Sequence, residues 1–278
     1  MTRTNSPDMF SLTGRTVAVT GAAGMLGGSF ARALVDAGAS VALLDVSPPD
    51  DGRMAELEAR CRAGARVQAL TCDVRDDTSV EAALAATEAA LGPVSGLVNA
   101  AAIDAVPGEA GARANGPFET GSSDDFSGVL DVNLTGVVRC CRVFGAAMAA
   151  RGGGSIVNVA STYGLVGPDQ RLYAPLRESG VDFFKPAVYT TSKAGIIGLT
   201  RYLAAYWGAQ GVRVNTLSPG GVEAGQDPRF VANYAARTPM GRMARADEYD
   251  GAVVFLLSDA SSYMTGANLV IDGGFTAW

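Results

Sequence analysis

VAVTGAAGMLGGSFARALVDAG, residues 17–38, passes from an apolar run through Gly21, Gly24 and Gly27 into helical patterning. That order predicts a strand, a glycine turn and a helix, in which the main chain can come very close to a partner. Glycine permits the tight bend. The first helical N–H groups then face outward with no intrahelical acceptor, which suits an anion such as a pyrophosphate.

Working outward, residues 15–20, 39–45, 65–73, 95–100, 154–161, 211–219 and 267–274 read as strands. Most are apolar nearly throughout, as parallel strands covered on both faces are. Residues 24–37, 52–63, 77–91, 122–150, 187–210 and 245–258 carry helical spacing. The alternation predicts an α/β chain: a Rossmann-type doubly wound parallel sheet of about seven strands with helices on both faces. Ligands of such sheets lie at the carboxyl ends of the strands. Residues 1–278 read as one NAD(P)-binding domain, with no linker, repeat or low-complexity tail to divide them. Two glycine- and proline-rich stretches, 103–121 and 164–186, are expected to be long loops.

The second strand ends in Asp45. A carboxylate there suits the two hydroxyls of an adenosine ribose and repels a 2′-phosphate. No Arg or Lys lies in the glycine turn or directly after Asp45, so NAD is expected in preference to NADP. Asp73 closes the third strand, where it could reach an adenine or cap the next helix.

The chain has 22 basic residues, and only Lys185 and Lys193 are lysines. Tyr189 and Lys193 are four apart on a predicted helix and so share a face. A phenol with a pKa near ~10 is a poor base at neutral pH. An ammonium ~4 Å away favours the phenolate by roughly 4 kcal/mol, or about three pKa units, before screening. Lysine can also relay a proton, which arginine practically never gives up. Lys185 has no such evident demand and reads as incidental.

Net charge is −6, with no basic run, which argues against nucleic acid or an anionic membrane as partner. The absence of histidine removes the commonest metal ligand and the Ser-His-Asp triad, and no metal is expected. Cys61, Cys72, Cys140 and Cys141 form no C-x-x-C pair. No run approaches the ~18 apolar residues of a membrane span, and the first residues are polar. A cytoplasmic chain with reduced thiols is expected.

TGAAGMLG, LVNAAA, DVNLTG, GSIVNVAS, YTTSK and SPGGV, in this order, resemble the motif series of the classical short-chain dehydrogenase/reductase family, and the likeness runs from residue 13 to 274. The resemblance implies that Tyr189 is the catalytic acid/base, with Lys193 lowering its pKa and holding the nicotinamide ribose. It implies that Ser161 bonds the substrate oxygen and that Asn133 holds a relay water behind Lys193. Gly21, Gly24, Met25, Leu26 and Gly27 would surround the pyrophosphate. Asp45 would take the adenine ribose, and Asp73 and Val74 the adenine. Asn99, Ala100 and Ala101 would line the cleft, with Pro219, Gly220 and Val222 at the nicotinamide.

The sequence also departs from that pattern. The glycines are spaced G-x-x-G-x-x-G, more typical of extended relatives acting on nucleotide sugars, which hints at an epimerase or dehydratase. NAAA lacks one amide that normally braces the central sheet, and PGGVEAG lacks the usual threonine. Ser161 and Tyr189 are separated by residues 162–188, a much longer gap than the family has, so 164–186 is an insertion expected at the mouth of the substrate pocket. Arg171, Tyr173, Arg177 and Lys185 on it, with Arg113 on the other long loop, suggest a polar small-molecule substrate: a sugar, sugar acid or polyol. Two rival readings are a 3-oxoacyl-carrier reductase and a non-catalytic dinucleotide-binding regulator. The resemblance further implies a homotetramer or homodimer, with the terminal GGFTAW at an interface.

Overall fold

The computed structural model describes residues 9–62, 64–104 and 116–278; Arg113 lies outside them. Strands form where aliphatic residues run unbroken: β1 (Thr16–Thr20), β2 (Ser40–Asp45), β3 (Val67–Thr71), β4 (Val94–Asn99), β5 (Gly154–Val159), β6 (Val212–Pro219) and β7 (Asn268–Ile271). They make one sheet in the order β3-β2-β1-β4-β5-β6-β7, every pairing parallel. The order reverses between β1 and β4, opening a crevice at their carboxyl ends.

Helices cover both faces. Successive strand residues point to opposite sides, and β1 shows the division. Val17 and Val19 join α1 (Met25–Asp36), α2 (Asp51–Arg60) and α8 (Asp250–Leu257) through Phe30, Leu34, Leu57, Val253 and Leu256. Ala18 joins α3 (Asp77–Leu91), α4 (Ser123–Ala150) and α6 (Ala187–Trp207) through Val80, Phe144, Ile196 and Trp207. By length and composition α4 could cross a membrane. Here its Val137, Cys140, Phe144 and Met148 are buried against the sheet. Two π-helical turns, Asp131–Thr135 and Cys141–Gly145, interrupt it, and the first carries the fully buried Asn133. Such turns often mark functional positions.

The structure departs from the sequence expectation in two places. The stretch 164–186 is folded, with a 3₁₀ turn at Gln170–Tyr173 leading into α5 (Ala174–Glu178). Beyond β6 lies an unforeseen α7 (Pro228–Arg237). Its start signals are in the sequence: Asp227 accepts from the Arg229 N–H, and Pro228 opens the helix, where a missing N–H costs nothing.

The brace that NAAA seemed to lack is supplied otherwise. Asn99 Nδ2 donates to Asn158 Oδ1 at 2.8 Å, and Asn158 Nδ2 donates to Thr200 Oγ1 at 2.9 Å. Thr216 Oγ1 donates to Thr200 Oγ1 at 2.8 Å. This buried chain ties β4, β5 and β6 to α6.

Candidate active site

At the nucleotide end, the glycines are required by close packing. Gly21 has φ +68°, and a Cβ there would lie 2.7 Å from the Ala101 main chain. A Cβ on Gly27 would come 2.2 Å from the Gly21 carbonyl. Gly24 precedes α1 without a side-chain cap. The turn is clipped to β2 by Asp45, whose carboxylate accepts from the Ala23 N–H at 3.0 Å and the Ser47 N–H at 3.1 Å. Thr20 Oγ1 accepts from the Ala100 and Ala101 N–H groups, each at 3.2 Å, which fixes the start of the segment after β4. A closely packed turn of glycines and alanines, an uncapped helix start and a carboxylate at the end of β2 fit a nicotinamide dinucleotide.

Three features at this end were not foreseen. Arg53 on α2 donates from Nη1 to the Ala23 carbonyl at 2.8 Å, placing a guanidinium beside the glycine turn. Asp73 is held by the Arg75 guanidinium, with Nη2 to Oδ2 at 2.7 Å, and this pairing keeps its carboxyl below the usual range. The helix cap is Asp76. Asn99, expected to line the cleft, turns its amide into the core on Asn158 and Cys141, at 2% exposure. Ala100 and Ala101 stay partly exposed at the end of the strand.

At the other end, α6 begins after Pro186 and brings Tyr189 and Lys193 under the segment that follows β5. Ser161 Oγ accepts from the Tyr163 N–H at 3.1 Å, and its hydroxyl is near enough to the Tyr189 phenol to favour the ionised form. Ser161, Tyr189 and Lys193 therefore come together. The expected lowering of the Tyr189 pKa does not occur in this arrangement. Burial pushes the phenol up, the Asp104 carboxylate pushes it further, and the nearby Ser161 hydroxyl opposes both. Lys193 Nζ donates to the Val159 carbonyl at 2.9 Å and stands 5.7 Å from the centre of the Tyr189 ring. Burial brings Lys193 down to about 8, against the opposing effect of Asp104, while Lys185 adds to the lowering.

Asn133 spends its side chain on protein partners: Oδ1 accepts from the Ile103 N–H at 2.8 Å, and Nδ2 donates to the Ile103 carbonyl at 2.9 Å and to Ser192 Oγ at 3.5 Å. Only its main chain is left for the relay water expected of it. Gly220 and Gly221 are fixed by tyrosines, since Tyr249 Oη donates to the Gly220 carbonyl at 3.1 Å and Tyr234 Oη accepts from the Gly221 N–H at 2.7 Å. Val222 bridges to Ala244. A cavity of about 190 Å³ is lined by these glycines, Tyr234, Tyr249 and Asp272, and does not include Ser161, Tyr189 or Lys193.

The insertion contributes rings more than charges. Tyr163, Leu172, Tyr173, Phe183, Phe230, Tyr234, Met243 and Phe275 form one buried cluster that Tyr189 packs against. The Tyr163 and Tyr173 hydroxyls meet at 3.3 Å, and burial pushes the Tyr163 phenol up to about 12. Arg171 is exposed and held by Asp169 at 2.8 Å. Arg177 donates to the Phe183 and Gln170 carbonyls, each at 2.9 Å, and caps the Phe184 ring. Both arginines expected to meet substrate are thus engaged within the insertion. Lys185, read as incidental, is buried and pairs with Asp104 at 2.5 Å, and its Nζ stands 4.2 Å from the centre of the Tyr189 ring. Phe275 of the terminal stretch stacks on Tyr234 at 4.8 Å within the same chain.

A family model described as enoyl-(acyl carrier protein) reductase matches residues 21–276. The chain is 37% identical over 273 residues to a D-threitol dehydrogenase of Mycolicibacterium smegmatis, covering 96% of this chain and 95% of that protein. It is also 37% identical over 277 residues to a galactitol 2-dehydrogenase (L-tagatose-forming) of Cereibacter sphaeroides, covering 97% and 98%. Among solved structures, a gluconate 5-dehydrogenase from Burkholderia cenocepacia in complex with NADP and tartrate matches with a TM-score of 0.82 at 30% identity, covering 99% of this chain and 100% of that one.

Proposed function

The chain belongs to the short-chain dehydrogenase/reductase family and is an NAD(P)-dependent oxidoreductase of CH–OH groups; on that premise we propose that it interconverts a secondary alcohol of a polyol, sugar or sugar acid with the ketone. The observation that carries the reading is the meeting of Ser161, Tyr189 and Lys193 beneath a folded insertion at the carboxyl ends of the strands. The polyol and sugar-acid names of the relatives supply the substrate class.

In the oxidative direction Ser161 holds the hydroxyl oxygen and Tyr189, ionised to the phenolate, accepts its proton at Oη. A nicotinamide held there would supply the acceptor for the hydride of the carbinol carbon. Lys193, now on the Val159 carbonyl, would hold the ribose, and its ammonium would stabilise the Tyr189 phenolate that must exist before the proton is taken. A lysine brought to about 8 can pass that proton onward near neutral pH. Gly21, Gly24, Met25, Leu26 and Gly27 would hold the pyrophosphate, and Pro219, Gly220 and Val222 would flank the nicotinamide.

NAD is the preferred cofactor in this reading. Asp45 places negative charge where a 2′-phosphate would sit, and Arg53 is engaged by the Ala23 carbonyl. The chain acts as one domain. The stacked, exposed Tyr202 and Tyr206 on α6 support the assembly into dimers or tetramers. The test is an absorbance screen of D-threitol, galactitol and gluconate with NAD and with NADP. Turnover of at least one, faster with NAD, is expected. No turnover of any would overturn the substrate class, and faster turnover with NADP would overturn the cofactor choice.

A further inference from the structure

Lys185 is one of two lysines among 22 basic residues, and both lie against the same tyrosine. Its side chain is 9% exposed, an unusual place for an ammonium without a task. Three contacts define its setting. Nζ pairs with Asp104 Oδ2 at 2.5 Å. The same atom stands 4.2 Å from the centre of the Tyr189 ring and 5.9 Å from that of Tyr163. Its main chain is fixed as well: its N–H donates to Gln170 Oε1, and Gln170 Nε2 donates back to its carbonyl, both at 2.9 Å. The insertion therefore carries Lys185 rigidly to the Tyr189 ring, and Asp104 arrives there from the segment that follows β4.

We propose that Lys185 and Asp104 are positioning residues for the reaction, an ion pair that fixes the charge balance around the Tyr189 phenol. The pair works in opposite senses. The Lys185 ammonium lies over the electron-rich face of the ring and favours the phenolate. The Asp104 carboxylate disfavours it, and its charge pushes the Tyr189 phenol and the Lys193 ammonium both upward. The other groups facing Tyr189 are Ser161 and Tyr163 after β5, Lys193 on its own helix and Tyr234 on α7. Among the described residues, Lys185 and Lys193 are thus the cations of this group and Asp104 its carboxylate.

This inference builds on the acid/base role proposed for Tyr189, and opposed single substitutions test it. Lys185→Met should move the acid limb of the pH profile of kcat/KM for oxidation to higher pH. A shift of one unit would give about tenfold less activity below the limb. Asp104→Asn should move the limb the other way, and Lys185→Arg should leave it near that of the wild type. A purely structural pair would lower activity in both variants without moving the limb in opposite directions. Shifts of the same sign, or no shift in well-folded variants, would overturn the proposal.

A second readout needs no substrate. Phenolate absorbance is titrated in the wild type, Lys185→Met and Asp104→Asn, each minus its Tyr189→Phe counterpart. The Tyr189 transition should rise in the first variant and fall in the second. If no polyol is turned over, the function proposed above fails, and this titration still decides the charge role of the pair.

Discussion

The two ends of the cleft are built by opposite means. At the nucleotide end the main chain does the shaping, because Gly21 and Gly27 are held where any side chain would collide with backbone. At the substrate end side chains do it, through a cluster of rings and an ion pair drawn from distant parts of the chain. The first end tolerates no added atoms, whereas the second depends on which charges and rings are present. Substitutions should therefore fail differently at the two ends.

The largest effect is expected at the chemical centre. Tyr189→Phe should lower kcat by about 10²–10⁴-fold, the usual worth of a positioned acid/base, with the melting temperature kept. Activity close to wild type would remove Tyr189 from the chemistry.

Lys193→Met separates stability from activity. In the folded protein burial brings this lysine to about 8, against an ordinary 10.5. Below about pH 8 it is charged in both states, and the penalty of burying the charge, roughly 3 kcal/mol, is fully present. Between 8 and 10.5 the unfolded chain binds more protons, so the penalty fades as pH rises. Above the ordinary tyrosine value of 10, phenols whose native pKa is raised by burial, such as Tyr163, reverse the trend. The methionine variant should be inactive yet melt higher at pH 7, with the difference shrinking towards pH 10. A difference that does not change with pH would contradict the assignment.

Gly27→Ala tests the other end. Its Cβ would lie 2.2 Å from the Gly21 carbonyl, so a cost of about 1–3 kcal/mol is expected from overpacking. Dinucleotide affinity, read by fluorescence titration, should fall more than any kinetic constant of the substrate end. The smallest effect belongs to Arg237→Ala, which cuts the tie between Arg237 on α7 and Asp169 of the insertion. With Arg237 half exposed, a pair of this kind is worth on the order of 1 kcal/mol. KM for the polyol should rise a few-fold while cofactor affinity is unchanged. A fall in cofactor affinity would erase the distinction between the two ends.

How far the sequence could be read follows the same division. Glycine spacing and apolar runs report on backbone demands a few residues away, and they placed all seven strands and the helices on both faces. α7 was missed although Asp227 and Pro228 announce it and Phe230 and Tyr234, four apart, mark its buried face, because a segment of ten residues offers only one such repeat. At the site, Ser161, Tyr189 and Lys193 could be matched to a motif, but the direction of the Tyr189 shift could not. Burial and Asp104 decide that direction, and neither is visible in Y-x-x-x-K. Lys185 was misread for the same reason, since its partner lies 81 residues earlier in the chain. Asn99 pointed away from the cleft because Asn158 and Cys141 sit directly beneath it. Arg53 escaped notice because a helix returns it to a turn 30 residues upstream.

The buried amide chain has a consequence for how the sheet finds its alignment. Asn99, Asn158 and Thr216 are direct register partners across β4, β5 and β6. Strands that are apolar on both faces offer little resistance to sliding by one residue, since either face is content in either layer. A one-step slip here would turn a polar group to the wrong side, away from Thr200, and each stranded group would cost about 1–3 kcal/mol. The row thus works like notches cut across adjoining planks, so that the boards lock at one offset only.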